Sequence, residues 1–321
     1  MLVVGMIDVC IVYSLLCTPK LSERYNLTDV FFVRNFFSFI LLFVFLSFHQ
    51  QVASCSSEFR LNTHSTECSG KKVFIITNNS TKTIADYAAK CKKLGFDMIQ
   101  PEQIISPAKV VAHLLSMHKS DLPVYLVGSA GLQRELMQEG IESFGVGPDP
   151  VQNYTNSDFI HEIDVSRPVR AVVVSYDVHI NYVKIMKAIN YIEQPGVKFI
   201  ATNEDATFPG PNPKVRIPGA GTNVMAVQYP AGKEPVVIGK PARPIFDYIC
   251  EKFGVVPERT IMIGDRCDTD IKFGRDHGMF TMLVGTGINS MDDVKQFERQ
   301  NRPDLIPHYF THSLKHLLDT M

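Results

Sequence analysis

The chain has no surplus of either charge: 32 Lys and Arg against 33 Asp and Glu leave a formal net charge of −1 over 321 residues. Lacking a basic excess, it carries no electrostatic footprint for nucleic acid, and lacking an acidic block it has no solvating tail. Its seven cysteines form no Cys-x-x-Cys pair and have no histidine partners, a pattern that fits neither a zinc site nor a disulfide framework. Cys91, Cys250 and Cys267 are expected to be reduced, mostly buried thiols of an intracellular protein. No apolar run reaches the ~18 residues of a membrane-spanning helix, and no repeat recurs at a solenoid period. What is present is an ordinary globular composition, 45% hydrophobic and 20% charged, at a length that suits two domains.

Residues 1–69 differ in character from the rest. Phe36–Phe48 is an apolar run rich in phenylalanine. Val30–Val33 would extend it, but Arg34 and Asn35 intervene. The run can be read as a short membrane anchor, as the apolar region of a signal peptide with Val52-Ala53-Ser54 as cleavage site behind an unusually long leader, or as translation of a non-coding stretch, since phenylalanine codons are T-rich.

From Gly70 onward the pattern becomes regular α/β. Strand-like apolar runs fall at Val73–Ile76, Val124–Val127, Ala171–Ser175, Lys198–Ala201, Val236–Ile238, Thr260–Ile263 and Thr281–Val284. Helical periodicity falls between them, at Ile84–Leu94, Ala108–His118, Leu132–Glu139, Tyr182–Ile192, Pro244–Phe253 and Val294–Arg299. Such alternation predicts parallel sheets built from βαβ units. Sites in open parallel sheets form at the carboxyl ends of strands, which singles out three turns.

After Val73–Ile76 comes Thr77-Asn78-Asn79-Ser80-Thr81-Lys82-Thr83, where a hydroxyl, two amides and a helix start could present N–H groups to a phosphate; the plainer alternative is an N-cap. After Val236–Ile238 comes Gly239-Lys240-Pro241. A lysine there can neutralise a phosphoryl oxygen, or it is a surface lysine, and Pro241 suits the first turn of a helix. After Thr260–Ile263 comes Gly264-Asp265-Arg266-Cys267-Asp268-Thr269-Asp270. Its three carboxylates suit a hard cation such as magnesium and repel without one; the alternative is a helix N-terminus rich in Asp.

An anion-binding turn, a lysine and a Gly-Asp-x-x-x-x-Asp turn, each closing an apolar strand in that order, resemble motifs two, three and four of the haloacid dehalogenase (HAD) superfamily. Phe74–Thr83, Ile238–Pro241 and Met262–Asp270 look most like the phosphoglycolate and 4-nitrophenyl phosphatases of the chronophin type. Tyr176–His179, Phe199–Asp205 and Pro218–Gly221 resemble that family's cap. The likeness runs from Gly70 to the C-terminus. It implies a Rossmann-like core with a parallel sheet, residues 70–121 and 234–321, and an inserted α/β cap of the C2 type, residues 122–233. It also implies that Thr77 and Asn78, helped by Asn79, bind the transferring phosphoryl group. Lys240 would neutralise charge, Asp265 would ligate Mg2+, and Asp270 would support the metal site. A cap loop, Thr202–Gly210, would read the leaving group through Asn203 and Phe208. The pyridoxal phosphatase of the family has a histidine near Phe208, so this chain departs from that specificity. Asp177 and His179 are expected to be structural or dimer-related.

The family's first motif, Asp-x-Asp-Gly, supplies the nucleophile and the general acid–base, and none occurs upstream of Thr77. The nearest candidate is Asp8, but Cys10 and Ile11 stand where the second Asp and the Gly should be. Losing a nucleophile that works as one unit with its partners costs on the order of 10⁶ in turnover. A strand is missing too: the place beside Val73–Ile76 has no evident occupant, and polar Cys55–Ser69 is a poor one. The expectation is therefore a magnesium-dependent phosphatase of small phosphate monoesters, impaired in this form. The alternative is an inactive homologue that binds phospho-ligands or regulates an active relative. A small phosphorylated metabolite and a homodimer through the cap are the implied partners, with membrane association only through residues 36–48. Asn78-Asn79-Ser80 and Asn79-Ser80-Thr81 are glycosylation sequons; modification would block the phosphate turn, which favours the cytoplasm over a membrane-anchored or secretory location.

Overall fold

The computed structural model describes residues 41–44, 72–93, 96–97, 99–150, 157–161, 163–208, 210, 212 and 214–313. Asp8, Val52–Ser54 and all of Phe36–Phe48 except Leu41–Val44 lie outside the described residues.

In chain order the strands are β1 (Leu41–Val44), β2 (Lys72–Ile76), β3 (Ile104–Ile105), β4 (Val124–Val127), β5 (Ser143–Phe144), β6 (Ala171–Val174) and β7 (Lys198–Ala201). There follow β8 (Thr207–Phe208), β9 (Ile217–Pro218), β10 (Val236–Val237), β11 (Thr260–Gly264), β12 (Phe280–Val284) and β13 (Tyr309–Thr311). The α-helices are α1 (Ile84–Lys93), α2 (Pro107–Ser116), α3 (Ala130–Gln138), α4 (Tyr182–Glu193), α5 (Ala220–Ala231), α6 (Arg243–Phe253), α7 (Lys272–Asp276) and α8 (Met291–Arg299).

The chain forms two compact units: Met1–Ile76, Ala88–Ile104 and Phe246–Met321 in the first, Thr77–Tyr87 and Ile105–Ile245 in the second. The expected cap, 122–233, lies inside the second unit, which also takes in the turn after Ile76 and the Lys240 segment.

The first unit is built on a six-stranded sheet of order β13-β12-β11-β1-β2-β3. β1 pairs in parallel with β11 on one side, Leu41 opposite Thr260, and with β2 on the other, Leu41 opposite Lys72. The place beside β2 is thus occupied, which corrects the expectation of a vacant centre: the occupant is part of the phenylalanine-rich run. A short apolar stretch cannot be told as strand or helix by periodicity alone. β2 ends at Ile76 and β11 at Gly264, pointing the same way on either side of β1. Beyond β11, Cys267, Ile271, Leu283, Val294 and Leu305 form a buried cluster under α8.

The second unit holds a five-stranded sheet of order β10-β7-β6-β4-β5, with parallel pairs throughout. Its core joins Tyr125, Val127, Val172, Val174, Ala188, Tyr191, Val224 and Val227, drawn from β4, β6, α4 and α5. An ion pair is sealed into this unit: Lys184 Nζ lies 2.6 Å from Asp177 Oδ2, both side chains buried. Helix α5 was not legible in the sequence, because Gly221 and Pro230 interrupt it and it lacks a clear apolar stripe. No helix among the described residues is long and apolar enough to cross a membrane.

Candidate functional site

The turn after β2 is held by its own side chains. Thr77 Oγ1 accepts the Asn79 N–H at 3.2 Å, and Asn79 Oδ1 accepts both the N–H and the hydroxyl of Thr81. Ser80 is buried, its hydroxyl 2.7 Å from that of Ser175 at the end of β6. Helix α1 then starts with a reciprocal cap: the Asp86 N–H donates to Thr83 Oγ1, and the Thr83 N–H donates to Asp86 Oδ2. The next free helical donor, Ile84 N–H, goes to Glu135 Oε1 at 2.7 Å. The expectation that this helix start faces an anion is corrected accordingly: two protein carboxylates already occupy it. Burial raises the Glu135 carboxyl above its ordinary value. The donors left for an outside anion belong to the turn, above all the exposed Asn79; the Thr77 hydroxyl also meets the Tyr87 phenol.

The structure brings Asn78 and Lys240 together across 162 residues of sequence. Asn78 Oδ1 accepts the Lys240 N–H at 2.9 Å, and Asn78 Nδ2 donates to the Lys240 carbonyl at 2.8 Å. Nδ2 also donates to Asp205 Oδ2 at 2.8 Å. Asp205 accepts from Asn203 as well, and Asn203 Oδ1 accepts the Thr202 hydroxyl at 2.9 Å. Asn203 is therefore a buried link in this network. Phe208 is 36% exposed and meets Tyr176 edge-on at 5.3 Å. Gly239 is required where it stands, since a Cβ there would sit 2.7 Å from Asn78 Oδ1 and 2.8 Å from the Thr202 carbonyl. Pro241 does not open a helix as expected; it follows a cis peptide bond, and α6 begins at Arg243. Sequence reasoning did not single out Asp205. Its place three residues before Phe208 in a strand-end loop was the available signal.

In the first unit, β11 runs into Asp265 and then into a single π-type turn, Cys267–Ile271, a local geometry common at functional sites. Asp270 is fully buried and its Oδ2 accepts the N–H groups of Asp265 and Arg266, each at 3.2 Å. Gly264 leaves room for it: a Cβ there would collide with the Asp270 side chain. Asp268, the third carboxylate of the cluster, turns outward and pairs with Arg266 through two bonds of 2.6 and 2.9 Å. Asp265 is buried. Its carbonyl accepts the Asn289 N–H at 3.0 Å, and Asn289 Oδ1 accepts the Cys267 N–H at 2.8 Å. A Cβ on Gly287 would strike the Asp265 carboxylate. Asn289 and Gly287 escaped sequence reasoning because nothing local marks a loop 22 residues away from Cys267 as its partner. Burial, followed by the neighbouring Asp270, pushes the Cys267 thiol up to about 12, so it is no nucleophile near neutral pH.

The haloacid dehalogenase-like hydrolase family matches residues 61–142, and the HAD-hydrolase-like family matches residues 237–313. Human glycerol-3-phosphate phosphatase is 37% identical over 262 residues, spanning 78% of this chain and 81% of that protein. The chain belongs to the haloacid dehalogenase-like phosphatases. A nematode protein from Caenorhabditis elegans described as a putative NipSnap protein is 44% identical over 236 residues; it covers 72% of this chain, and the chain spans 44% of its length. Among solved structures, a protein from Pyrococcus horikoshii superposes with a TM-score of 0.69 at 28% identity, covering 88% of this chain and 98% of that one.

Phosphatases of this family generally use a divalent metal. Among the described residues no three His, Cys, Asp or Glu side chains gather as a ready-made metal cluster. The cradle that glycine keeps open beside Asp265 nonetheless offers a hard carboxylate. One carboxylate completed by water and phosphate oxygens lies within the ordinary chemistry of magnesium.

Proposed function

We propose that this chain binds small phosphate monoesters with Mg2+ and that hydrolysis is impaired in this form. The observation that carries the reading is the strand β1. It lies between β2 and β11, yet the sequence after Val44 is Phe45-Leu46-Ser47-Phe48, and the next carboxylate is Glu58. A strand in that place without a carboxylate behind it supplies no nucleophile of the family's kind.

The remaining groups suit binding. The Thr77 hydroxyl and the donors of its turn hold phosphoryl oxygens, and Lys240 offsets their charge. Asp265 would hold Mg2+, which supplies Lewis-acid chemistry when bound. Asp270 fixes the backbone that carries Asp265. Positioning and charge are most of what phosphoryl transfer asks of a protein, so binding survives the loss of the attacking group. Phe208 and Tyr176 present an apolar edge that suits an aryl leaving group; phosphoglycolate, whose leaving group is anionic, is proposed on the family resemblance alone. The catalytically inactive binding or regulatory homologue is the second reading, favoured by the same missing carboxylate. A cytoplasmic location is supported by the sequons in the Thr77 turn, since glycosylation there would block it. A homodimer through the cap is supported by its exposed Met225 and Tyr229.

The test is calorimetric binding of inorganic phosphate with magnesium, alongside hydrolysis of 4-nitrophenyl phosphate, phosphoglycolate and glycerol 3-phosphate. Saturable binding is expected, with turnover on the order of 10⁶ below that of an intact family member. Full turnover lost in Asp265→Asn would overturn the impairment, and loss in Asp8→Asn as well would make Asp8 the nucleophile. Binding with no turnover at all selects the second reading.

A further inference from the structure

The geometry points to the Asn78 side chain as a positioning group for Lys240, braced by Asp205, rather than as a ligand of the bound anion. The affinity readout below rests on the phosphate-binding reading; the spectroscopic readout does not.

A side-chain amide has two N–H donors and one acceptor oxygen. In Asn78 all are committed. The oxygen takes the Lys240 N–H, one hydrogen of Nδ2 goes to the Lys240 carbonyl, and the other goes to the Asp205 carboxylate. The orientation of the amide is forced by its neighbours. Flipped, its NH2 would face a backbone donor and its oxygen would face a carbonyl and a carboxylate. No side-chain donor remains for a phosphate oxygen, and the side chain is buried.

The partners form a closed circuit within the second unit. Gly239 N–H donates to the Thr202 carbonyl at 2.7 Å, continuing the pairing of β10 with β7. Lys240 is grasped at both its N–H and its carbonyl by Asn78. Asn78 is held by Asp205, Asp205 by Asn203, and Asn203 by Thr202, where the circuit began. Every link fixes the peptide from which the lysine side chain departs. By contrast Asn79 lies at the surface with only its amide oxygen spent on Thr81, so Asn79 is the amide placed to donate to an anion.

The full chain is titrated with inorganic phosphate in magnesium chloride as wild type, Asn78→Ala, Lys240→Met and the double variant. Each single change is expected to weaken binding about tenfold or more, and the double variant to bind no worse than Lys240→Met, because coupled residues are non-additive. Losses that multiply would overturn the proposal, since Asn78 would then contact the anion independently. The conservative variant Asp205→Asn, which keeps an acceptor for Asn78, is expected to hold affinity within about threefold of wild type; a loss as large as that of Asn78→Ala counts against the bracing role. If wild type binds no phosphate, the functional reading fails, and the inference is read from the Lys240 side-chain ¹³Cε resonance, assigned through Lys240→Met. That signal is expected to move in Asn78→Ala and stay put in Phe208→Ala. An unmoved signal in a folded Asn78→Ala preparation would sink the proposal.

Discussion

Glu135 is a buried carboxylate whose one visible task is to accept the first free N–H of a helix. Desolvation by burial raises its pKa in the fold. Its contribution is therefore fully present at pH below the unfolded value and is lost as pH rises through the folded one. Gln keeps the acceptor and removes the charge, so Glu135→Gln is expected to match or exceed wild-type stability at neutral pH. Glu135→Ala strands the Ile84 N–H and is expected to cost about 1–3 kcal/mol; urea denaturation at pH 5 and pH 8 separates the two. His308 behaves in the opposite sense. Burial, reinforced by Arg275 at 2.8 Å, lowers its pKa from 6.5 to about 4. Its neutral ring accepts from Thr281, and protonation would set a second cation against the guanidinium. Between pH 6.5 and about 4 the unfolded chain binds more protons, so stability falls as the pH is lowered across that window. His308→Gln should flatten the slope of melting temperature against pH there, and an unchanged slope would refute the assignment. Gly287→Ala pushes a methyl into the Asp265 carboxylate; weaker magnesium binding and a stability loss of about 1–3 kcal/mol are expected.

Among the elements, β1 ties β2 to β11. It is paired on both sides, so a proline within it removes a ladder donor where no edge is available to tolerate the loss. Phe43→Pro removes a ladder donor and is expected to cost about 1–3 kcal/mol and to release the amide protection of β2 and β11 together, measurable by hydrogen exchange. The segments from β2 onward were largely legible: β4 and β7 fall on their expected residues, and α1, α4 and α6 differ by a residue at an end. Strands there are bounded runs and helices have caps, so local chemistry suffices. β1 was not legible as a strand, because what makes Leu41–Val44 a strand is the pair of neighbours waiting for it. The acidic turn shows the same limit. Asp265 and Asp270 could be named from spacing, whereas Gly287 and Asn289 owe their place to a loop that only the folded chain brings near.

For the molecule as a whole, ligand binding and stability are linked. A ligand that binds only the folded state adds about 2.7 kcal/mol at a hundredfold excess over its dissociation constant. Magnesium and inorganic phosphate together are therefore expected to raise the melting temperature in calorimetry, a chelator to reverse the magnesium share, and Asp265→Asn to erase that share alone. A melting temperature indifferent to both ions would remove the basis for ligand binding.

The circuit through Thr202, Asn203, Asp205, Asn78 and Lys240 has an evolutionary consequence. Its links are ordinary folding contacts of the second unit, each with a buried polar group to satisfy. Purifying selection for foldability alone would preserve them in a lineage that had ceased to catalyse anything. A lysine fixed beside the Thr77 turn would then persist as a by-product of a sound fold, whether or not the protein turns over a substrate.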